Sequence, residues 1–213
     1  MNKKKIFIAV DTNKISKAKR IIKDTQTNKI KIGYKFGIEF FYSEKGRKFI
    51  SRLKNQTIFL DLKLNDIPNT VLSAVKSLKN LKISYLTVHL SSGLSALKTL
   101  KKESKGIKIA GVTTLTSLNN KDLKEIGYNK KVNELVSHQA KLAVKAKLDA
   151  IVCSAQEVKI VRKVFKKEII TPGIRFNSDK DKGDQKRVLT PKAAFNNGSD
   201  WLVIGRPITK GNI

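Results

Sequence analysis

Eight short apolar, β-branched runs recur along the chain, and the stretches between them carry apolar residues at helical spacing. The runs are Ile6–Val10, Lys29–Gly33, Thr57–Leu62, Tyr85–Leu90, Ile107–Thr113, Ala150–Cys153, Glu168–Thr171 and Trp201–Gly205. Runs with little polar interruption suit strands buried on both faces, as in a parallel sheet. Between them, Val71, Val75 and Leu78 follow Pro68 at helical spacing, and Val132, Leu135, Val136 and Ala143 form a second stripe. Ser154 with Glu157 reads as a capping box ahead of Val158, Val161 and Phe165. Thr190-Pro191 opens a short helix that Gly198 ends. Eight strands alternating with helices predict a (β/α)8 TIM barrel, a single domain over residues 1–213, or else a doubly wound open sheet. No Gly-x-Gly-x-x-Gly follows the first run, which weighs against a dinucleotide-binding sheet.

Composition narrows the function classes. One cysteine, Cys153, excludes a disulfide framework. Two histidines, His89 and His138, with no cysteine or carboxylate at ligand spacing, argue against a metal site. No apolar run approaches the roughly 18 residues of a membrane span. The lysine-rich start leads into a run too short for a signal peptide and interrupted by Asp11, so a cytoplasmic protein is expected. The net charge of +28 is carried mostly by lysines spread along the chain among Asn and Ile. These three share A- and T-rich codons, and the aromatic residues are not interleaved with the basic ones as a base-stacking surface requires. The charge therefore reads as codon drift rather than as a nucleic-acid surface.

The polar residues at the ends of the runs are more informative. Asp11 follows the first run, Lys31 lies within the end of the second, and Asp61 and Lys63 close the third with Asp66 just beyond. His89 ends the fourth; Thr113, Thr114 and Thr116 follow the fifth; Arg175 and Arg206 follow the seventh and eighth. In a barrel these ends open on one face, where barrel active sites lie. Alternation along a strand puts Asp61 and Lys63 on the same side. Alone, such a pair reads as a strand-end ion pair with a helix cap at Asp66. In a confined site, the same carboxylates and ammonium place a proton donor beside a developing carbanion. Gly183-Asp184-Gln185 and Gly205-Arg206-Pro207 together suit a phosphate. The polar stretch from Phe176 to Lys186 reads either as a loop able to close over a ligand or as a solvated charge run.

In order along the chain, Ala9-Val10-Asp11, Lys31-Ile32-Gly33, Asp61-Leu62-Lys63-Leu64-Asn65-Asp66-Ile67-Pro68-Asn69-Thr70, Leu115-Thr116-Ser117, Val152-Cys153-Ser154-Ala155-Gln156-Glu157, Thr171-Pro172-Gly173-Ile174-Arg175, Gly183-Asp184-Gln185 and Ile204-Gly205-Arg206-Pro207 resemble the bacterial orotidine 5′-phosphate decarboxylases. The Asp-x-Lys-x-x-Asp-Ile-Pro-x-Thr string is the most specific of these. The resemblance implies that Lys63 donates the proton to C6 of the pyrimidine and that Asp61 lies near the departing carboxylate. It implies that Asp66 and Thr70, with Ile67 between them, reach the substrate in the other subunit of a homodimer. Asp11 and Lys31 would bind ribose hydroxyls, and Thr116 the pyrimidine. Gln185, Gly205 and Arg206 would hold the 5′-phosphate, with Arg175 in support. No metal, flavin, pyridoxal phosphate or other cofactor is implied. Seven residues follow Arg206, so a barrel lacking the family's last C-terminal helix is expected. The alternatives are a metal-dependent sugar-phosphate aldolase or decarboxylase of the hexulose-phosphate synthase type, and a non-catalytic basic protein that binds nucleic acid.

Overall fold

Each of the eight runs forms a parallel strand, and the strands close on themselves. In a computed structural model that describes residues 4–176 and 188–209, the order is β1 Lys5–Ala9, α1 Ile15–Asp24, β2 Lys31–Gly37, α2 Ile38–Phe41, α3 Gly46–Arg52, β3 Thr57–Leu64, α4 Pro68–Ser77, β4 Tyr85–His89, α5 Gly93–Glu103, β5 Lys108–Val112, α6 Asn120–Glu125, α7 Val132–Lys145, β6 Ala150–Val152, α8 Val158–Val164, β7 Glu168–Thr171, α9 Pro191–Asn196, β8 Trp201–Ile204 and α10 Arg206–Thr209. Strands pair in chain order, and β8 returns to β1 to close the barrel. The (β/α)8 expectation holds, and the open-sheet alternative falls. Within the described residues, β8 is followed by the single turn of α10. No helix among them is long and apolar enough to cross a membrane.

Alternation along the strands sorts the core into two parts. Phe7, Phe59, Tyr85 and Trp201 fill the barrel interior together with small residues such as Ala110 and Ala150. Phe7 stacks on Trp201 with ring centroids 4.0 Å apart. Outward-facing Ile8, Tyr34, Phe36, Ile58 and Leu60 meet the apolar stripes of the helices, including Ala18 and Ile21 of α1 and Val71 and Val75 of α4. The expected helix starts are present with one refinement. Thr190 accepts from the Ala193 amide and caps α9. The Ser154 amide donates to the Glu157 carboxylate, and the Ser154 hydroxyl accepts from Gln156, but this pair holds a turn from which α8 begins at Val158.

The second strand departs from expectation. It spans Lys31–Gly37 rather than Lys29–Gly33. Gly33 resembles a terminator in the sequence, yet it is an interior strand residue. A Cβ there would stand 2.6 Å from the Phe7 ring, so the bare backbone makes room for that ring.

The N-terminal end of the barrel is sealed by a polar cluster. The half-buried Glu168 carboxylate accepts from the Tyr85 hydroxyl at 2.8 Å, the Lys108 ammonium at 2.8 Å and the Trp201 indole N–H at 3.3 Å, with Lys5 at 3.4 Å. Burial opposes ionisation of Glu168, but the hydrogen bonds from Lys108 and Tyr85 outweigh it and hold the carboxyl below its ordinary range. Burial, with the adjacent Glu168, pushes the Tyr85 phenol up to about 12. Because the folded-state value of Glu168 is lowered, its contribution is present above the ordinary Glu value near 4.3 and fades as pH falls through the lowered one. Glu168→Ala should cost about 1–3 kcal/mol at neutral pH. Thermal unfolding should register this as a fall of roughly 2–12 °C in Tm; an unchanged Tm would remove the cluster from the stability account.

Candidate active site

At the opposite, C-terminal end the barrel opens into a cavity of about 590 Å³. Its walls carry Asp11, Lys35, Asp61 and Lys63 from the β1–β3 side, Thr116 from the loop after β5, and Arg175, Gly205 and Arg206 from the β7 and β8 loops. Apolar residues Phe59, Val112, Val152 and Val203 line it as well. The site thus combines an apolar wall with charges of both signs, the composition expected of a pocket for a charged small molecule.

Asp61 is the centre of the charge array. Its side chain is only 13% exposed, and Oδ2 lies 2.9 Å from the Lys63 Nζ and 3.4 Å from the Lys35 Nζ. Oδ1 accepts from the Thr87 hydroxyl at 3.2 Å. Lys35 also reaches Asp11 Oδ1 at 3.3 Å, so the order across the mouth is Asp11, Lys35, Asp61, Lys63. Burial works against ionisation of Asp61; the ammonium groups of Lys35 and Lys63 and the bonds from Lys63 and Thr87 together prevail and lower its pKa. For Lys35 burial likewise favours the neutral amine, but the carboxylates of Asp61 and Asp11 override it and raise its pKa. His89 ends β4 half-buried; burial and then the Lys63 charge depress its pKa against the opposing pull of Asp61.

Local backbone geometry aims these groups. The β3–β4 pairing slips between Leu60↔Leu86 and Leu64↔Val88, which places the Asp61–Lys63 segment in an irregular stretch. Lys63 takes φ of +50°, a left-handed conformation that costs a non-glycine residue about 1–3 kcal/mol. At the β8 end, a Cβ on Gly205 would stand 3.3 Å from Asp11 Oδ2, so glycine lets this loop lie close against the first carboxylate. The loop after β5 is anchored by the buried Gln139, which accepts from the Thr114 amide at 2.9 Å and its hydroxyl at 3.3 Å. Thr113 donates to the Val152 carbonyl and lies outside the cavity lining, whereas Thr114 and Thr116 both line it.

The expected residues fall into four groups. Asp11, Asp61, Lys63, Thr116, Arg175, Gly205 and Arg206 converge on the cavity. Lys31 does not: it is the first residue of β2, pairs with Lys5, and sets its ammonium 5.9 Å from the Trp201 ring at the sealed end. The lysine that meets the carboxylates is Lys35, which the sequence masks because Gly33 reads as the strand's end. Extending the alternation Lys31, Gly33, Lys35 was the available signal. Asp66, Ile67 and Thr70 are exposed on the segment after β3 and do not line this chain's cavity. Gln185, with Gly183 and Asp184, lies outside the described residues.

Opposite signs follow for the two buried charges. The lowered Asp61 stabilises the fold above the ordinary Asp value near 3.9 and loses that effect as pH falls through its folded value. The raised Lys35 does so below about 10.4 and loses it as pH rises through its folded value. Lys35→Met should therefore move the Asp61 titration midpoint to higher pH, measured by carboxyl ¹³C NMR; a midpoint equal to the parent's would contradict the assigned coupling.

Comparison with known proteins agrees with this geometry. The family model described as orotidine 5′-phosphate decarboxylase / HUMPS family matches residues 4–212. The orotidine 5′-phosphate decarboxylase of Coxiella burnetii is 40% identical, over 97% of this chain and 90% of its own length. That of the Wolbachia pipientis of Culex pipiens is 44% identical, over 97% and 92%. The crystal structure of orotidine 5′-phosphate decarboxylase from Lactobacillus acidophilus superposes with a TM-score of 0.84 at 31% identity, covering 98% of this chain and 93% of that one. With a barrel of this topology, an Asp-Lys array at its open end and a family match along almost its full length, the chain belongs to the orotidine 5′-phosphate decarboxylase / HUMPS family.

Proposed function

We propose that this chain converts orotidine 5′-phosphate to uridine 5′-phosphate and carbon dioxide without a cofactor, the last step in forming UMP in pyrimidine biosynthesis, in the cytoplasm. The observation that carries the reading is the Asp61–Lys63 pair, 2.9 Å apart in a cavity also lined by Arg175 and Arg206. The C6–carboxylate bond breaks, and its electron pair stays on C6. The Lys63 ammonium gives its proton to that carbon, and the amine regains one from water. Asp61 orients Lys63 and faces the departing carboxylate, while Lys35 keeps Asp61 ionised. Arg175, Arg206 and Gly205 hold the phosphate, whose charge matches the guanidinium fork. Enzymes lower barriers by about 8–23 kcal/mol, more at the upper end than one ammonium supplies. Binding of the remote phosphate therefore contributes by fixing the reacting carbon against Lys63. Relatives at 40% identity bearing the decarboxylase name favour this reading over the metal-dependent sugar-phosphate alternative.

A homodimer with shared sites belongs to the same reading. Asp66 and Thr70 are exposed beyond β3, where a partner's cavity mouth could receive them. Ile67 is 67% exposed, Ile38 48% and Leu115 38%, all following strand ends at the open face. Apolar side chains exposed around one face suit an interface.

Loss of ultraviolet absorbance of orotidine 5′-phosphate on adding purified protein tests the reaction. Turnover that survives a chelator is expected; none, or turnover abolished by the chelator, would overturn the proposal. In the same assay, mixing Asp61→Ala with Asp66→Ala should restore part of the activity that each has lost, because one site of a mixed dimer is then intact. Absence of rescue with mixed dimers confirmed would rule out sharing.

A further inference from the structure

We propose that Thr87 is a positioning residue for this reaction: its buried hydroxyl ties the Asp61 carboxylate to the Lys63 backbone and so fixes where the Lys63 ammonium stands. The proposal rests on the decarboxylase reading and adds a residue that lines no wall of the cavity.

Thr87 lies on β4, between Tyr85 and His89 on the interior-facing alternation, and is fully buried. Its hydroxyl accepts from the Lys63 amide at 2.7 Å and donates to Asp61 Oδ1 at 3.2 Å. A hydroxyl has one proton and two lone pairs, so both bonds form at once. They run in one direction, from amide to hydroxyl to carboxylate, and each polarises the next.

The need for this hydroxyl comes from the strand itself. Where the β3–β4 register slips, Lys63 turns to positive φ, and its amide meets the Thr87 side chain. One atom thus receives the amide of the proton donor and orients the carboxylate paired with that donor. A valine in its place keeps the shape but leaves the amide without this acceptor and Asp61 without this donor. Asp61 is then faced by Lys35 from β2, by Lys63 from its own strand and by His89 from β4. Asp11 of the β1 end acts on it through Lys35.

Thr87→Val, Thr87→Ser and Thr87→Ala separate the hydroxyl from the packing. In Thr87→Val, kcat should fall about 10- to 100-fold, the worth of one hydrogen bond to a charged group, while KM changes by less than about 3-fold. Thr87→Ser should recover kcat to within about 3-fold of the parent. The Asp61 carboxyl midpoint, followed by ¹³C NMR, should rise in Thr87→Val and return in Thr87→Ser. Should Thr87→Val fail to fold, Thr87→Ala against Thr87→Ser decides the question, because those two differ only by the hydroxyl. Equal kcat in the variants with and without the hydroxyl, or an unmoved Asp61 midpoint, would overturn the proposal. A parent without turnover would defeat the decarboxylase reading instead, and the NMR comparison would still judge the tie between Thr87 and Asp61.

Discussion

The site depends on keeping one carboxylate ionised where there is little water to solvate it. Asp61 sits with 13% of its side chain exposed, and burial alone would favour its neutral acid. Two ammonium groups and a hydroxyl hold it charged, from three adjacent strands: Lys35 on β2, Lys63 on β3 and Thr87 on β4. Several otherwise unrelated features serve this arrangement. β2 runs on past Gly33 so that Lys35 reaches the open end, and Gly33 itself is bare so that Phe7 can fill the barrel beneath. β3 slips against β4 and turns Lys63 to positive φ, and Gly205 lets the last loop approach Asp11.

The two ends of the barrel use the same chemistry to different effect. At the closed end Glu168 gathers Lys5, Lys108, Tyr85 and the Trp201 N–H beneath the stacked rings of Phe7 and Trp201. At the open end Asp61 gathers lysines beside a cavity large enough for a nucleotide-sized ligand. The aromatic plug between them makes one carboxylate part of the scaffold and leaves the other facing the cavity. In a parallel barrel the strand ends that carry the loops all face one way, which is why the chemistry gathers at the second end.

The barrel was legible because its strands are nearly continuous apolar runs, and the Asp61–Lys63 pairing because two-residue spacing suggests one side, although the strand is irregular there. The misplacement of Lys31 has a specific cause. Glycine usually punctuates, and a lysine in mid-strand breaks an apolar run, so the sequence Gly33-Tyr34-Lys35 reads as an end when it is a strand interior. Lys35 lies four positions beyond Lys31, about 13 Å along a strand, which carries it from the sealed end to the open one. Thr87 gave no signal of its own. Its two bonds depend on a slip in the β3–β4 ladder, and a register shift is a property of two strands together rather than of either sequence. Ile67 and Thr70 are recognisable only through the family string, and Asp66 by itself reads as a strand-end carboxylate or a helix cap, since nothing in a single chain's core requires them.

In the proposed reaction the Lys63 ammonium protonates the carbon that loses its carboxyl group. Single-turnover conversion of orotidine 5′-phosphate by the parent and by Lys63→Ala, each in saturating excess over substrate and shown by circular dichroism to be folded, isolates this step. The variant's rate should be several orders of magnitude lower with the fold intact; equal rates would refute this role of Lys63.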